Sequence, residues 1–165
     1  MITVQQEHPP AAGPRVPIPK EALVTGLVPQ EVFDRLVAGL AADHAWDKPY
    51  ATRVMTSALA YLVTCAFNPD LPLRPSEVVD LAWHEFYKRI NRPEYTAFCD
   101  RLGRFIAHVP DAGPINEQAR VADLGATVEA MREVGMPVDI ELWLTPARCS
   151  QGYDDPADDP KAAHA

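Results

Sequence analysis

The sequence predicts an all-α protein built as a single compact bundle of about five helices. Three observations lead to this fold class. Apolar residues recur every three or four positions in five segments, which is the helical period. No segment of convincing length alternates apolar and polar residues, as a half-buried strand would. Many of the 17 prolines stand where such segments begin or end, and 165 residues is close to the commonest size of one domain.

Two apolar repeats predict the first two helices. Pro29 suits the first turn of a helix over residues 29–42, and apolar side chains recur along it, at Val32, Phe33, Leu36, Val37 and Leu40. The second helix covers residues 50–67, and Asn68-Pro69 ends it. Because this segment is the most apolar, we expect it to be the central and most buried helix.

Caps and prolines divide the following part of the chain into two shorter helices. Ser76 is a favourable N-cap for a third helix over residues 76–91, whose inward stripe includes Ile90. A fourth helix starts at Pro93 and continues to Val109-Pro110. Since only a few residues join these two helices, we expect them to pack antiparallel.

The last periodic segment predicts a fifth helix. Asn116 is a good N-cap for it, and Gly135 is a good residue to end it. Asp139 could cap one more short turn. The helical domain predicted in this way covers residues 21–148.

The two ends of the chain have a different composition. Residues 1–20 hold five prolines among small and polar residues, which favours a flexible arm. Residues 149–165 are acidic, poor in apolar residues and interrupted by proline. This composition predicts a disordered tail.

The charge balance disfavours two classes of partner. The chain has 23 Asp and Glu against 15 Lys and Arg, a formal net charge of −8 and a pI of about 5.0. Such a charge repels phosphate backbones and anionic lipids. No apolar run approaches the roughly 20 residues that span a bilayer. We therefore expect neither nucleic acid nor a membrane as a partner, but an unknown small molecule or protein.

Cysteine usage and the first residues predict a cytoplasmic location. Cys65, Cys99 and Cys149 are odd in number and widely spaced. This pattern suits a reducing compartment better than a disulfide framework. The chain begins with polar residues and prolines, without the basic and apolar regions of a secretory signal.

The residues best suited to chemistry lie in one stretch, from Asp80 to His108. Asp80 and His84 are four positions apart, so they share a helix face and the carboxylate can orient the imidazole. Cys99 lies on the apolar face of the predicted fourth helix, one turn after Tyr95, and His108 lies at its end. Each also has an ordinary explanation by itself. Asp80 and His84 would be a surface pair, Cys99 a small core residue, and His108 a helix cap.

Taken together, these residues predict a metal site. If the fourth helix packs back along the third, His84 approaches Cys99 and His108. Two imidazoles and a thiolate suit a zinc, copper or iron ion, and three protein ligands leave a coordination position open, as in catalytic sites. Asp80 would orient His84 from behind, and Tyr95 could donate a hydrogen bond to a molecule bound at the open position.

Residues 76–110 also contain a recognisable series of short motifs. They read D-x-x-W-H at 80–84, Y-x-x-F-C at 95–99 and G-R-F-I-A-H-V-P at 103–110. This series resembles the conserved block of the glycine-rich domain-containing protein family. The matching positions are Asp80, Trp83, His84, Tyr95, Cys99, Gly103, Arg104, His108 and Pro110.

Two features of this chain depart from that family. Ala107 replaces the first histidine of the family's usual pair, and the glycine-rich region that names the family is missing. Members are mostly uncharacterised, and bacterial ones are often small stand-alone proteins. The resemblance therefore implies such a protein but no particular reaction.

Two further hypotheses compete with the metal site. In the first, the same residues join two helices through buried hydrogen bonds in an adaptor or interaction domain, whose function resides in the arm and the tail. In the second, Cys99 is a nucleophile, with His84 or His108 as its base and no metal. The second ranks last, because an apolar helix face promises the thiol neither a lowered pKa nor access to substrate.

Overall fold

The computed structural model describes residues 24, 26–109 and 116–144, and over these residues it confirms the all-α fold class. Besides the helical residues Val24 and Gly26, this part of the chain contains six α-helices and no strand. Their bounds are α1 Gln30–His44, α2 Lys48–Phe67, α3 Glu77–Tyr87, α4 Arg92–Leu102, α5 Glu117–Val134 and α6 Ile140–Leu144, with a 3₁₀ turn at Arg89–Asn91. The predicted arm (1–20), the predicted tail (149–165) and Cys149 lie outside the described residues.

Helix α2 is the centre of the bundle, as its composition predicts. It packs against α1, α3 and α5, and its apolar side chains include Val54, Met55, Leu59 and Leu62, all fully buried. It begins two residues before the predicted start because the Asp47 carboxylate accepts a hydrogen bond of 2.7 Å from the backbone N–H of Tyr50.

Helix α3 is shorter than predicted. Ser76 caps it as expected, but it ends at Tyr87 instead of residue 91. The Asn91 side chain donates a 2.8 Å hydrogen bond to the carbonyl of Glu85, which a longer helix would bond to the N–H of residue 89. The chain therefore leaves the helical path, and Ile90, predicted to face inward, is 78% exposed.

Helix α4 also ends earlier than predicted, at Leu102 instead of near Val109. Gly103 has φ of +82°, the left-handed conformation in which glycine commonly terminates a helix. Residues 104–108, here called the His108 segment, form no regular secondary structure. His108 therefore does not lie on a helix, and the helix-cap role considered for it does not apply.

The fifth helix has its predicted ends. Asn116 caps α5 by accepting a 2.7 Å hydrogen bond from the N–H of Ala119, and Gly135 ends the helix with φ of +83°. The short turn after Asp139 is the five-residue α6. The carboxylate of Asp139 is bound by the guanidinium of Arg53 from α2, at 2.7 and 2.9 Å.

Every helix in the described part of the chain is either too short or not apolar enough to span a membrane.

Alanine substitutions at two glycines should change the free energy of unfolding in opposite directions. Gly103→Ala should lower the free energy of unfolding by about 1 kcal/mol, because a Cβ disfavours the left-handed conformation. Gly125→Ala should raise it by about 0.5–1 kcal/mol, since this glycine lies inside α5 with open space around it. Urea unfolding of both variants measures the difference, and equal effects would contradict the turn at Gly103.

Candidate metal centre

Three ligand-type side chains from two parts of the chain meet beside α3. The Nε2 atom of His108 lies 3.0 Å from Oδ1 of Asp80, and the Nε2 atom of His84 lies 3.5 Å from Oδ2 of the same carboxylate. One donor atom from each of the three residues falls within 4.8 Å of the others, and no other such group occurs in the described part of the chain. The carboxylate thus lies between two imidazoles.

These separations suit a shared metal ion. Two ligand atoms bound to one ion at about 2.1 Å lie about 3.0–3.4 Å apart. The two nitrogen–oxygen distances, 3.0 and 3.5 Å, end on different oxygens of the carboxylate and are close to that range. All three donor atoms lie within 4.8 Å of one another, so an ion between them is within reach of all three.

The local sequence explains how α3 contributes two of these residues. Ser76 starts the helix, and the four-residue spacing of Asp80 and His84 then places both on one face, one turn apart. Both remain partly open to solvent, with side-chain exposures of 37% and 39%. Solvent or a small molecule can therefore reach the α3 side of the group.

His108 forms the inner side of the group. Its side chain is only 8% exposed, and its ring lies edge-on to those of Trp83 and His84, with centroids 4.4 and 4.1 Å away. Tyr87 lies somewhat farther off, at 5.8 Å. These rings fix the imidazole plane and shield it from water on the protein side.

The turn at Gly103 brings His108 to this place. After the turn the His108 segment runs back alongside α4, where the Tyr95 hydroxyl donates a 2.6 Å hydrogen bond to the carbonyl of Ile106. The side chain of Ile106 is buried, whereas Phe105 and Val109 face solvent. The sequence interpretation was therefore right that His84 and His108 meet, but wrong that a helix carries His108 there.

Cys99 was predicted to be the third ligand, and the structure does not place it in the group. Its side chain is fully buried in the core, one helical turn after Tyr95. Burial raises the pKa of the thiol, and the nearby polar groups of Ile106 and Tyr95 oppose that change in part. A buried thiol with a raised pKa also lacks what a nucleophile needs.

Asp80, and not Cys99, is the third ligand-type residue of the group. It was expected to orient His84 from behind, but it contacts both imidazoles and is itself the third donor. The available signal was the carboxylate at helical spacing from a histidine. What the spacing does not reveal is that a second histidine approaches the other carboxylate oxygen.

Tyr95 also differs from its predicted role. It was expected to donate a hydrogen bond to a molecule at the open coordination position. Its hydroxyl is instead engaged inside the protein: it accepts a 3.0 Å hydrogen bond from Nε1 of Trp83 and donates to Ile106. Burial raises the pKa of this hydroxyl, so it stays protonated and keeps its donor.

Comparisons with known proteins add no family to this geometry. Neither protein-family models, nor curated proteins, nor solved structures gave a match to the chain. The resemblance to the glycine-rich domain-containing family therefore stays a prediction.

Proposed function

We propose that this chain is a metal-binding protein whose centre is formed by Asp80, His84 and His108. The observation that carries the proposal is the convergence of three donor atoms within 4.8 Å, on two parts of the chain separated by a complete helix. A carboxylate between two imidazoles supplies the donor types that transition-metal ions accept.

The donor set favours a transition-metal ion. Two imidazoles and one carboxylate hold zinc in hydrolytic enzymes and ferrous iron in oxygenases, and imidazole also suits copper. Three protein ligands leave at least one coordination position for water or a small molecule. The exposed side of Asp80 and His84 provides access to that position. Such an ion supplies Lewis acidity or redox chemistry when bound.

One specific observation favours a second candidate function. The Asp80–His108 contact at 3.0 Å is already a good hydrogen bond without an ion, and it fastens the His108 segment to α3. In an adaptor or interaction domain this bond would be purely structural. His108→Ala would then lower stability by about 1–3 kcal/mol without any effect of metal, and His84→Ala, at an exposed pair, by less than about 1 kcal/mol.

Metal titration of purified protein tests the proposal. Protein without a histidine tag is freed of metal with a chelator and titrated with Zn²⁺ and Co²⁺ in competition with a chromophoric chelator. We expect one ion per chain and a Co²⁺ spectrum without a thiolate charge-transfer band, because no cysteine belongs to the group. Folded protein that binds neither ion would contradict the proposal and support the structural role.

A further inference from the structure

We propose that Tyr95 is a positioning residue of this metal centre, which holds His108 in place through the backbone carbonyl of Ile106. The inference rests on the proposed function, because a ligand can be positioned only if the centre binds metal. It assigns Tyr95 a role different from the donor to a bound molecule that its sequence position suggests. The tyrosine would not touch the ion.

The first part of this arrangement is the Tyr95 hydroxyl. It donates a 2.6 Å hydrogen bond to the carbonyl of Ile106 and accepts a 3.0 Å hydrogen bond from Nε1 of Trp83. Trp83 immediately precedes His84, and Ile106 lies two residues before His108. One fully buried oxygen thus links the two pieces of chain that supply the imidazoles.

The second part is the end of α4, one helical turn after Tyr95. The carbonyl of Cys99 accepts a 3.2 Å hydrogen bond from the backbone N–H of Arg104, the first residue of the His108 segment. The segment is therefore held to α4 both at its start and at Ile106. Because α4 is a regular helix there, the position of Ile106 is fixed to a rigid element.

The His108 segment needs this support. In the described structure, residues 105–108 form no backbone–backbone hydrogen bond of their own. Apart from the burial of Ile106, the segment is tied to the bundle through the Tyr95 hydroxyl, the bond between Asp80 and His108, and the ring contacts of Phe105 and His108. Trp83 connects these ties, since it both donates to Tyr95 and packs against the His108 ring.

Removing the hydroxyl should therefore loosen a metal ligand at a distance. Partners that orient a ligand typically change metal affinity by about 10- to 100-fold. We expect Tyr95→Phe to weaken Zn²⁺ binding by roughly 10-fold or more. We also expect an altered Co²⁺ spectrum at saturating metal, because His108 no longer approaches the ion along a fixed direction.

The matched control is Tyr61→Phe. Tyr61 is another buried tyrosine whose hydroxyl donates to a backbone carbonyl, that of Leu73 at 3.1 Å, but it has no contact with the His108 segment in the hydrogen-bond pattern of the described residues. It should lose comparable stability, measured by urea unfolding of metal-free protein, while its Zn²⁺ affinity and Co²⁺ spectrum stay those of the wild type.

A second variant keeps the test decisive if Tyr95→Phe fails to fold. Trp83→Phe removes the indole N–H that donates to the Tyr95 hydroxyl, keeps an aromatic ring beside His108, and should weaken Zn²⁺ binding less than Tyr95→Phe does. Wild-type affinity in either folded variant, or equal losses in Tyr95→Phe and Tyr61→Phe, would overturn the positioning role and leave the metal centre standing. A wild-type protein that binds no metal would instead overturn the proposed function, and the positioning role with it.

Discussion

His108→Ala should abolish tight metal binding. The substitution removes one of three ligands, so the loss in Zn²⁺ affinity should exceed the roughly 10- to 100-fold effect of an orienting partner. Asp80 and His84, both about two-fifths exposed, would remain as an open pair on one helix face. Chelator competition measures the affinity, and the Co²⁺ spectrum shows whether any residual site keeps its geometry.

His44→Ala is the matched control for this prediction. His44 is also partly buried and also contacts an aromatic ring, that of Trp46 at 4.7 Å, but it does not belong to the three-residue group. It should bind Zn²⁺ as the wild type does. Unfolding of both variants in the presence of a chelator separates the ligand role from lost packing, and His108→Ala protein with wild-type affinity would contradict the proposed centre.

Lys88→Met should cost about 3 kcal/mol of stability, within the range for breaking a buried ion pair. The Nζ atom of Lys88 lies 2.5 Å from Oε2 of Glu85, whose side chain is only 9% exposed, and 2.6 Å from Oδ2 of Asp43. Without the ammonium group the Glu85 carboxylate stays buried and loses its charged partner. It lies against Gly39, where a Cβ would collide with it, so it has little room to turn away.

A double substitution shows whether the buried charge causes this loss. Glu85→Gln combined with Lys88→Met leaves no buried charge without a partner. The double variant should therefore recover at least half of the stability that Lys88→Met loses. Arg132→Met is the exposed comparison. Its pair with Glu129 is 54% and 67% exposed, and such pairs contribute about 0.3–0.5 kcal/mol. Urea unfolding of the wild type and these three variants measures the differences. Equal losses of stability in Lys88→Met and Arg132→Met would show that the buried charge is not the cause.

The helices could be predicted well where side-chain period and caps agree. The starts of α3 and α5 follow from Ser76 and Asn116, whose side chains make the expected hydrogen bonds. The ends of α3 and α4 could not be predicted from the apolar period, which continues beyond both. A tertiary contact from Asn91 ends α3. The left-handed Gly103 ends α4, although the apolar period continues past it and therefore predicts a longer helix.

The candidate site was predicted in part, for a related reason. Asp80 and His84 can be paired from their spacing, since both stand on one helix. His108 can only be placed once the turn at Gly103 and the bond to Ile106 are known. Cys99 has the residue type of a ligand, but its burial in the core decides against that role, and burial depends on neighbours that lie far apart in the sequence.

Helix α6 is too short to be stable by itself, since isolated helices of fewer than about 12 residues are marginal in water. It persists because Trp143 is buried beside Tyr61 and because Arg53 holds Asp139 and Glu141. Because these contacts exist only once the rest of the bundle has folded, α6 should form last. Amide protons of residues 140–144 should accordingly exchange with deuterium through local opening, well before those at the centre of α2.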